Sequence, residues 1–315
     1  MTRMRSTLVT GATTPLGALV CKQLQQRRIA VLAIGQEPDY QAAALLHPDI
    51  AYQHVDLTRP RDLHDLLFSE TKARQVDTIF HLATHRRLNA GGHEAHALNV
   101  EAVRLLLSHS AAHPTVERVI YRSFADVYRV DHHLPSIVAE DHPVDHAAAH
   151  QHNWLRDRIE ADSLACAQMG MGAVAVMVLR CAEVFSADMG SQIFDYLQSR
   201  VCLQAAGFDP LINLLSLEDA CAALLAAGDC GEAGVYNIAG LDTLPLSRCI
   251  RTAGRHSIPI PGPLLAPLYR LRRRLLHSDF SASLNWQRLH FPAILDGSKA
   301  ARVLGYRPRC SALPR

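Results

Sequence analysis

The chain has 315 residues, enough for two domains of about 150 residues each or for one large α/β domain. Apolar residues make up 49% and charged residues 20%, which supplies a core and excludes a disordered chain. With 32 basic and 30 acidic residues the net charge is +2, so no overall field favours nucleic acid. Lysine occurs only at Lys22, Lys72 and Lys299, so chemistry that needs a lysine has three candidates. The eight cysteines (Cys21, Cys166, Cys181, Cys202, Cys221, Cys230, Cys249 and Cys310) form no C-x-x-C pair. They read as buried free thiols of a reducing compartment. No apolar run reaches the ~18 residues of a membrane span, and MTRMRSTLVTGA has no signal-peptide core. A cytoplasmic protein with no transmembrane segment is expected.

Short apolar strands alternate with amphipathic helices. Residues 7–10 read as a strand, and Leu16, Leu19, Val20 and Leu24 follow at helical spacing. Residues 30–34 form a second strand, and Leu63, Leu66 and Leu67 mark a helix. A strand at 78–82 precedes a helix at 98–110, and a strand at 119–121 follows. A helix at 154–168 leads into AVAVMVL at 173–179, a continuous apolar run suited to a strand covered on both faces. This order predicts a doubly wound, parallel, Rossmann-like sheet over residues 1–180. Residues 181–315 then form a smaller α/β substrate region, with parts of 210–240 able to return to the first unit. In that second region 211–215 and 235–238 are strands, Ser216-Leu-Glu-Asp219 opens an Ala-rich helix, and 259–267 is a connector or helix start.

The turn after the first strand, Thr10-Gly11-Ala12-Thr13-Thr14-Pro15-Leu16-Gly17, joins a strand to a helix. Backbone N–H groups and the helix dipole there favour a pyrophosphate. Other segments agree with it in order: VDL (55–57), FHLAT (80–84), NVEAVRLLL (99–107), VIYRSFADVY (119–128), EDHP (140–143), LRCAEVF (179–185), LSLEDACAAL (215–224), VYNIAG (235–240) and SKAARVLGYRP (298–308). Together they make the chain resemble the extended short-chain dehydrogenase/reductase family, which contains nucleotide-sugar epimerases and dehydratases. The resemblance implies that NAD or NADP is bound and that a small-molecule substrate, such as a sugar nucleotide, meets it.

By resemblance, Gly11, Thr13, Thr14, Pro15, Leu16 and Gly17 wrap the pyrophosphate. Gly35 and Gln36 lie by the adenosine ribose, and Asp56 and Leu57 meet the adenine. Leu82, Ala83 and Thr84 line the ribose side, and Asn99 supports the fourth strand. Two positions depart from the pattern. Thr14 stands where a glycine lets backbone approach phosphate. The second strand ends Ile34-Gly35-Gln36 without the carboxylate that selects NAD; Glu37 is the next acid along, and both NAD and NADP stay open.

The family's chemistry uses Tyr-x-x-x-Lys on one helical face and a Ser or Thr at a strand end. None of the eight tyrosines has lysine four residues later. Taking Glu160 as the acid that follows the lysine position by four, counting back gives Arg156 for the lysine and His152 for the tyrosine. Phe124 occupies the hydroxyl position, with Ser123 beside it. In one reading His152 is a substitute acid/base, Arg156 a permanent cation and Ser123 the hydroxyl. In the other, hydride chemistry is lost and the protein is a dinucleotide-binding sensor or interaction protein. Phe124 favours the second, since an apolar ring cannot donate to an oxyanion.

Twelve of 18 histidines lie between His81 and His152, and His142, His146 and His150 recur every four residues. Pro143 argues against one helix carrying all three, so a loop and no metal site are expected. His93 and His96 are a second spacing without a partner ligand. The approach to the second domain's strand, Gly207–Ile212, lacks the family's diphosphate arginine, leaving Arg180 or Arg200. Leu264 to His277 sets Leu264, Leu268, Leu271 and Leu275 beside Arg270, Arg272, Arg273 and Arg274. It reads as a solvated helix face, with an anionic substrate group or an anionic membrane as alternatives. The resemblance also implies a homodimer through helices 94–112 and 153–168.

Overall fold

The computed structural model describes residues 4–88, 92–276 and 279–313. Its centre is a parallel sheet of seven strands. They include β1 (Ser6–Thr10), β2 (Ala30–Gly35), β3 (Ala51–His54), β4 (Thr78–His81) and β5 (Arg118–Phe124). Across the sheet the order is Gly234–Ile238, Ala175–Cys181, β5, β4, β1, β2, β3. The chain winds outward in both directions from the β1–β4 pair, and the crevice at that reversal is where such folds bind ligands. Every residue of β1, β4 and β5 is buried, as the apolar runs require for strands covered on both faces.

One face is covered by α1 (Pro15–Gln26) and the helix Leu217–Cys230. Leu16, Val20 and Leu24 from the first and Ala223 and Leu224 from the second are fully buried in a shared core. The other face carries helices that bury Leu63, Val103, Leu106, Ala161 and Ala165. Helix Leu217–Cys230 starts on a Ser216 cap accepting from the Asp219 N–H and ends at Gly231 in the left-handed region. Residues 217–230 thus pack on the seven-stranded sheet, and 234–238 form its edge strand beside Ala175–Cys181.

The remaining chain builds a third core around Tyr196, Leu214, Leu246, Ile250 and Leu265. It holds Val201–Ala205 paired with His256–Ile260, strands that apolar alternation did not reveal; another such pair, Ile137–Val138 with Ile294–Leu295, buries Val138 and Leu295 in the core under α1. The Pro-rich stretch at 259–267 ends the first of these pairs and opens helix Gly262–Leu276. In that helix Leu265 and Tyr269 are buried, whereas Leu264, Leu268, Leu271 and Leu275 are exposed. Arg272 donates to the Val201 carbonyl at 2.6 Å, and His277 lies outside the described residues. All eight cysteines are free. Among the described residues no helix is long and apolar enough to cross a membrane.

Candidate dinucleotide groove and rebuilt catalytic centre

The turn after β1 is shaped by contacts only glycine permits. Gly11 has φ +66°, and a Cβ there would lie 2.8 Å from the Ala83 backbone nitrogen. At Gly17 a Cβ would lie 2.1 Å from the Gly11 carbonyl oxygen. The turn thus sits directly on the loop after β4. Thr10 fastens that loop from below, its Oγ1 accepting from the Leu82 and Ala83 N–H groups at 3.2 and 3.3 Å. Asn99 fastens it from the side. Its Oδ1 accepts from the His85 N–H at 2.7 Å and the Thr84 hydroxyl at 3.1 Å. Asn99 lies in a π-helical stretch, Ala97–Glu101, so it braces the loop beyond β4 rather than the strand itself.

Thr14 is the N-cap of α1. Its hydroxyl donates to the Gly11 carbonyl at 2.8 Å and accepts from the Gly17 N–H at 3.0 Å. The threonine therefore keeps the turn's shape but spends both its own proton and the Gly17 N–H within it. Pro15 has no N–H to give. Among the described residues the Thr13 N–H makes no hydrogen bond and lies at the groove, so it remains as a main-chain donor for an anion. Leu16 and Gly17 act from beneath: Leu16 is fully buried in the core.

A groove of about 410 Å³ opens above this turn. It brings together Gly11, Thr13, Thr14, Gly35, Gln36, Leu57, Ala83 and Thr84 with Glu37, the next acid after the second strand, and adds Val55, Arg86 and Leu98, which the sequence did not place. Leu82 is buried behind it. Asp56 turns aside, its Oδ1 accepting from the Thr58 N–H at 3.0 Å and hydroxyl at 2.6 Å, while Arg59 pairs with Oδ2 at 3.2 Å. The acid that faces the groove is Glu37: its carboxylate accepts from the Thr13 hydroxyl, and its carbonyl accepts from Tyr52 Oη at 2.6 Å.

At the end of β5 the structure corrects three expectations. Ser123 is fully buried, and its hydroxyl donates to Asp162, which is paired with Arg180 at 2.6 Å. That hydroxyl is committed, and Arg180 is likewise unavailable for a diphosphate; Arg200 is exposed. Arg156 lies on the outer surface of helix Asn153–Gln168, where it donates to Asp157 at 3.0 Å. His152 precedes that helix and opens into a separate cavity of about 1160 Å³ with Asp145, Trp286 and Arg288. Partial burial holds its imidazole below the usual histidine range.

The pair four apart that meets β5 is instead Trp154 and Arg158. The Arg158 guanidinium is 3.6 Å from the centre of the Phe124 ring and 3.4 Å from that of Trp154. It pairs with Asp126 and donates to the Gly190 carbonyl at 3.2 Å. The acid one turn after Arg158 is Asp162, buried against β5 and paired with Arg180, whereas Glu160 pairs with Arg104 at the surface. Phe124, Arg158 and Trp154 thus form an aromatic–arginine–aromatic stack at the end of β5.

The histidine spacings dissolve in three dimensions. His142 lies in a turn with Nε2 on the Arg129 carbonyl at 2.9 Å, and the helix His146–Ala149 has only four residues. His96 binds Asp157 at 2.9 Å. Among the described residues the one group with metal-ligand spacing is Asp131, His132 and His133, consecutive in a turn with both histidines exposed.

The model of the NAD dependent epimerase/dehydratase family matches residues 7–239. The chain belongs to that family. It is 27% identical over 311 residues to an uncharacterized protein of Mycobacterium tuberculosis, covering 96% of this chain and 80% of that one. Solved structures share the fold. Pal from Bacillus thuringiensis superposes with TM-score 0.74 at 14% identity, covering 97% of this chain and 95% of that one. The dTDP-glucose 4,6-dehydratase of Bacillus anthracis, in complex with NAD, gives 0.71 at 16% identity, covering 98% and 92%. MoeE5 in complex with UDP-glucuronic acid and NAD gives 0.69 at 19% identity, covering 97% and 94%.

Proposed function

We propose that this family member binds a nicotinamide dinucleotide in the groove above β1 and has given up the family's hydride chemistry, serving as a dinucleotide-dependent sensor or interaction protein. The residues present suit the dinucleotide's adenosine half. The approach of Gly11 to Ala83 keeps side chains out of the cradle, and the Thr13 N–H would meet the diphosphate. Val55, Leu57 and Leu98 offer an apolar wall to the base. The Glu37 carboxylate would accept from ribose hydroxyls and repel a 2′-phosphate, which favours NAD over NADP. When bound, the nicotinamide supplies a hydride carrier. The chain must then supply a proton carrier beside it.

The observation that carries the non-catalytic reading is the stack of Phe124, Arg158 and Trp154. Neither ring can move a proton at neutral pH, and the guanidinium stays charged. Calorimetric titration with NAD, NADH, NADP and NADPH tests the first half, with NAD or NADH binding at least tenfold tighter than its phosphorylated counterpart. Hydride transfer measured with sugar nucleotides, aldehydes and ketones tests the second, with no turnover expected. A second reading keeps chemistry on a sugar nucleotide at His152, which is favoured by the cavity that residue opens into. Turnover that disappears in His152→Ala would establish that reading and end the first.

A further inference from the structure

Between the end of β5 and the strand Glu183–Val184 lies a small polar cavity that opens to solvent. Its polar lining is Arg122, Asp126, Arg158, Glu183, Ser191 and Arg288. Arg122 and Phe124, two apart on β5, share a face, and the Arg122 guanidinium sits 4.6 Å from the Phe124 ring centre. Arg122 is 5% exposed, and among the described residues no carboxylate pairs with it and its Nε has no hydrogen-bond partner. Arg158 Nε and Asp126 Oδ1 are also buried without partners.

The charges around this space do not cancel. Of the two carboxylates, Asp126 is engaged by Arg158, and burial pushes Glu183 above the usual carboxylate range. Arg288 donates to the Ala125 and Tyr128 carbonyls at 3.0 and 3.2 Å. Three guanidinium groups, Arg122, Arg158 and Arg288, thus face two carboxylates, Asp126 and Glu183, and Arg122 makes no ion pair among the described residues. Burial lowers its pKa to about 10, which still leaves it protonated at neutral pH. A buried, unpaired guanidinium is costly, and a planar fork of donors matches a carboxylate or phosphoryl oxygen pair.

We infer that this cavity is a binding site for a small oxyanion group, a carboxylate or a phosphoryl, held by Arg122 with Arg158 and Ser191 beside it. It rests on the preceding reading in one respect: the space is the family's catalytic centre, free for a ligand because the proton carriers are gone. A bound anion would touch the Phe124–Arg158–Trp154 stack and the Gly190 loop that covers it. Occupancy would thereby reach Arg86, which donates to the Asp188 carbonyl at 2.9 Å and lines the dinucleotide groove.

The test titrates the full chain with inorganic phosphate in one arm and with acetate and glycolate in the other, at constant ionic strength set by chloride. Saturable one-to-one binding in either arm, accompanied by a rise in Tm, supports the site, and the tighter arm identifies the group. In Arg122→Met that binding falls at least tenfold, while the Tm without ligand holds or rises because an unpaired buried charge has gone. If Arg122→Met fails to fold, Glu183→Gln serves with the opposite sign: removing a competing carboxylate tightens the anion at least threefold. No binding above the chloride control in either arm, or binding undiminished in Arg122→Met, overturns the inference. NAD titrated into the same variants separates the two readings, since its groove does not include Arg122.

Discussion

Replacing Arg158 with alanine should be among the more damaging single changes in the chain. The side chain is 4% exposed and its partner Asp126 is 11% exposed, so solvent screens the pair little. Removing one member leaves a buried carboxylate without its counter-charge, a loss of about 3–5 kcal/mol. The two ring stacks at 3.4 and 3.6 Å add to this, each worth roughly 0.5–2 kcal/mol and not fully additive. We expect about 4 kcal/mol in a urea titration and a drop in Tm of roughly 10 °C, at a few degrees per kcal/mol for a chain of this size. The double variant Asp126→Asn with Arg158→Met should recover more than half, because it removes the stranded charge and keeps apolar contact with both rings. If Arg158→Ala lies within about 1 kcal/mol of the parent, the stack does not hold helix Asn153–Gln168 to β5, and the account of a rebuilt centre fails.

Three further outcomes follow from single side chains. Thr14→Ala should lose about 1 kcal/mol as a missing N-cap, whereas Thr14→Gly should lose only a few tenths; Thr14→Gly also frees the Gly17 N–H, so dinucleotide titrated by calorimetry should bind several-fold tighter, and weaker binding would contradict the cap geometry. Glu37→Gln should raise affinity for NADP relative to NAD, read in the same titration; an unchanged ratio would remove Glu37 from the ribose site. His81 is fully buried, and burial lowers its pKa from 6.5 to about 4, so its neutral form is the folded one. Stability is therefore complete above pH 6.5 and falls as the pH drops from 6.5 toward 4, by roughly 3 kcal/mol from this residue at about 1.4 kcal/mol per unit. Urea midpoints across that range should lose this slope in His81→Leu.

The doubly wound sheet was legible because its strands are apolar on both faces and its helices carry one apolar stripe. Leu16, Val20 and Leu24 at α1 are buried as their spacing implies, and so are residues 176–179 of the apolar run at 173–179, whose strand lies two residues later, at Ala175–Cys181. The glycine turn was legible for a related reason: only glycine allows Gly11 to rest on Ala83. The short strands 183–184, 201–205 and 256–260 were not, since they are two to five residues long and find their partners far along the chain. Glu37 was named as the next acid after the second strand, but its place needed the fold. Its carboxylate reaches the groove through Thr13, and Tyr52 on β3 holds its backbone.

The catalytic register failed for a geometrical reason. Glu160 and Asp162 are both acids on one helix, and an offset of two residues turns the helix by about 200°, from the solvent side to the sheet side. Counting back from Glu160 therefore selected His152 and Arg156, which belong to the other side. Counting from Asp162 selects Trp154 and Arg158, and Asp162 is marked by its partners: the Ser123 hydroxyl on β5 and the Arg180 guanidinium on the next strand. Phe124 and Trp154 carry no group that titrates near neutral pH. The Arg158 cation is buried between these two rings and matched to Asp126, an arrangement with its own charge balance. The two rings pack on a guanidinium fixed by that pair, and Arg122 beside it makes no ion pair among the described residues.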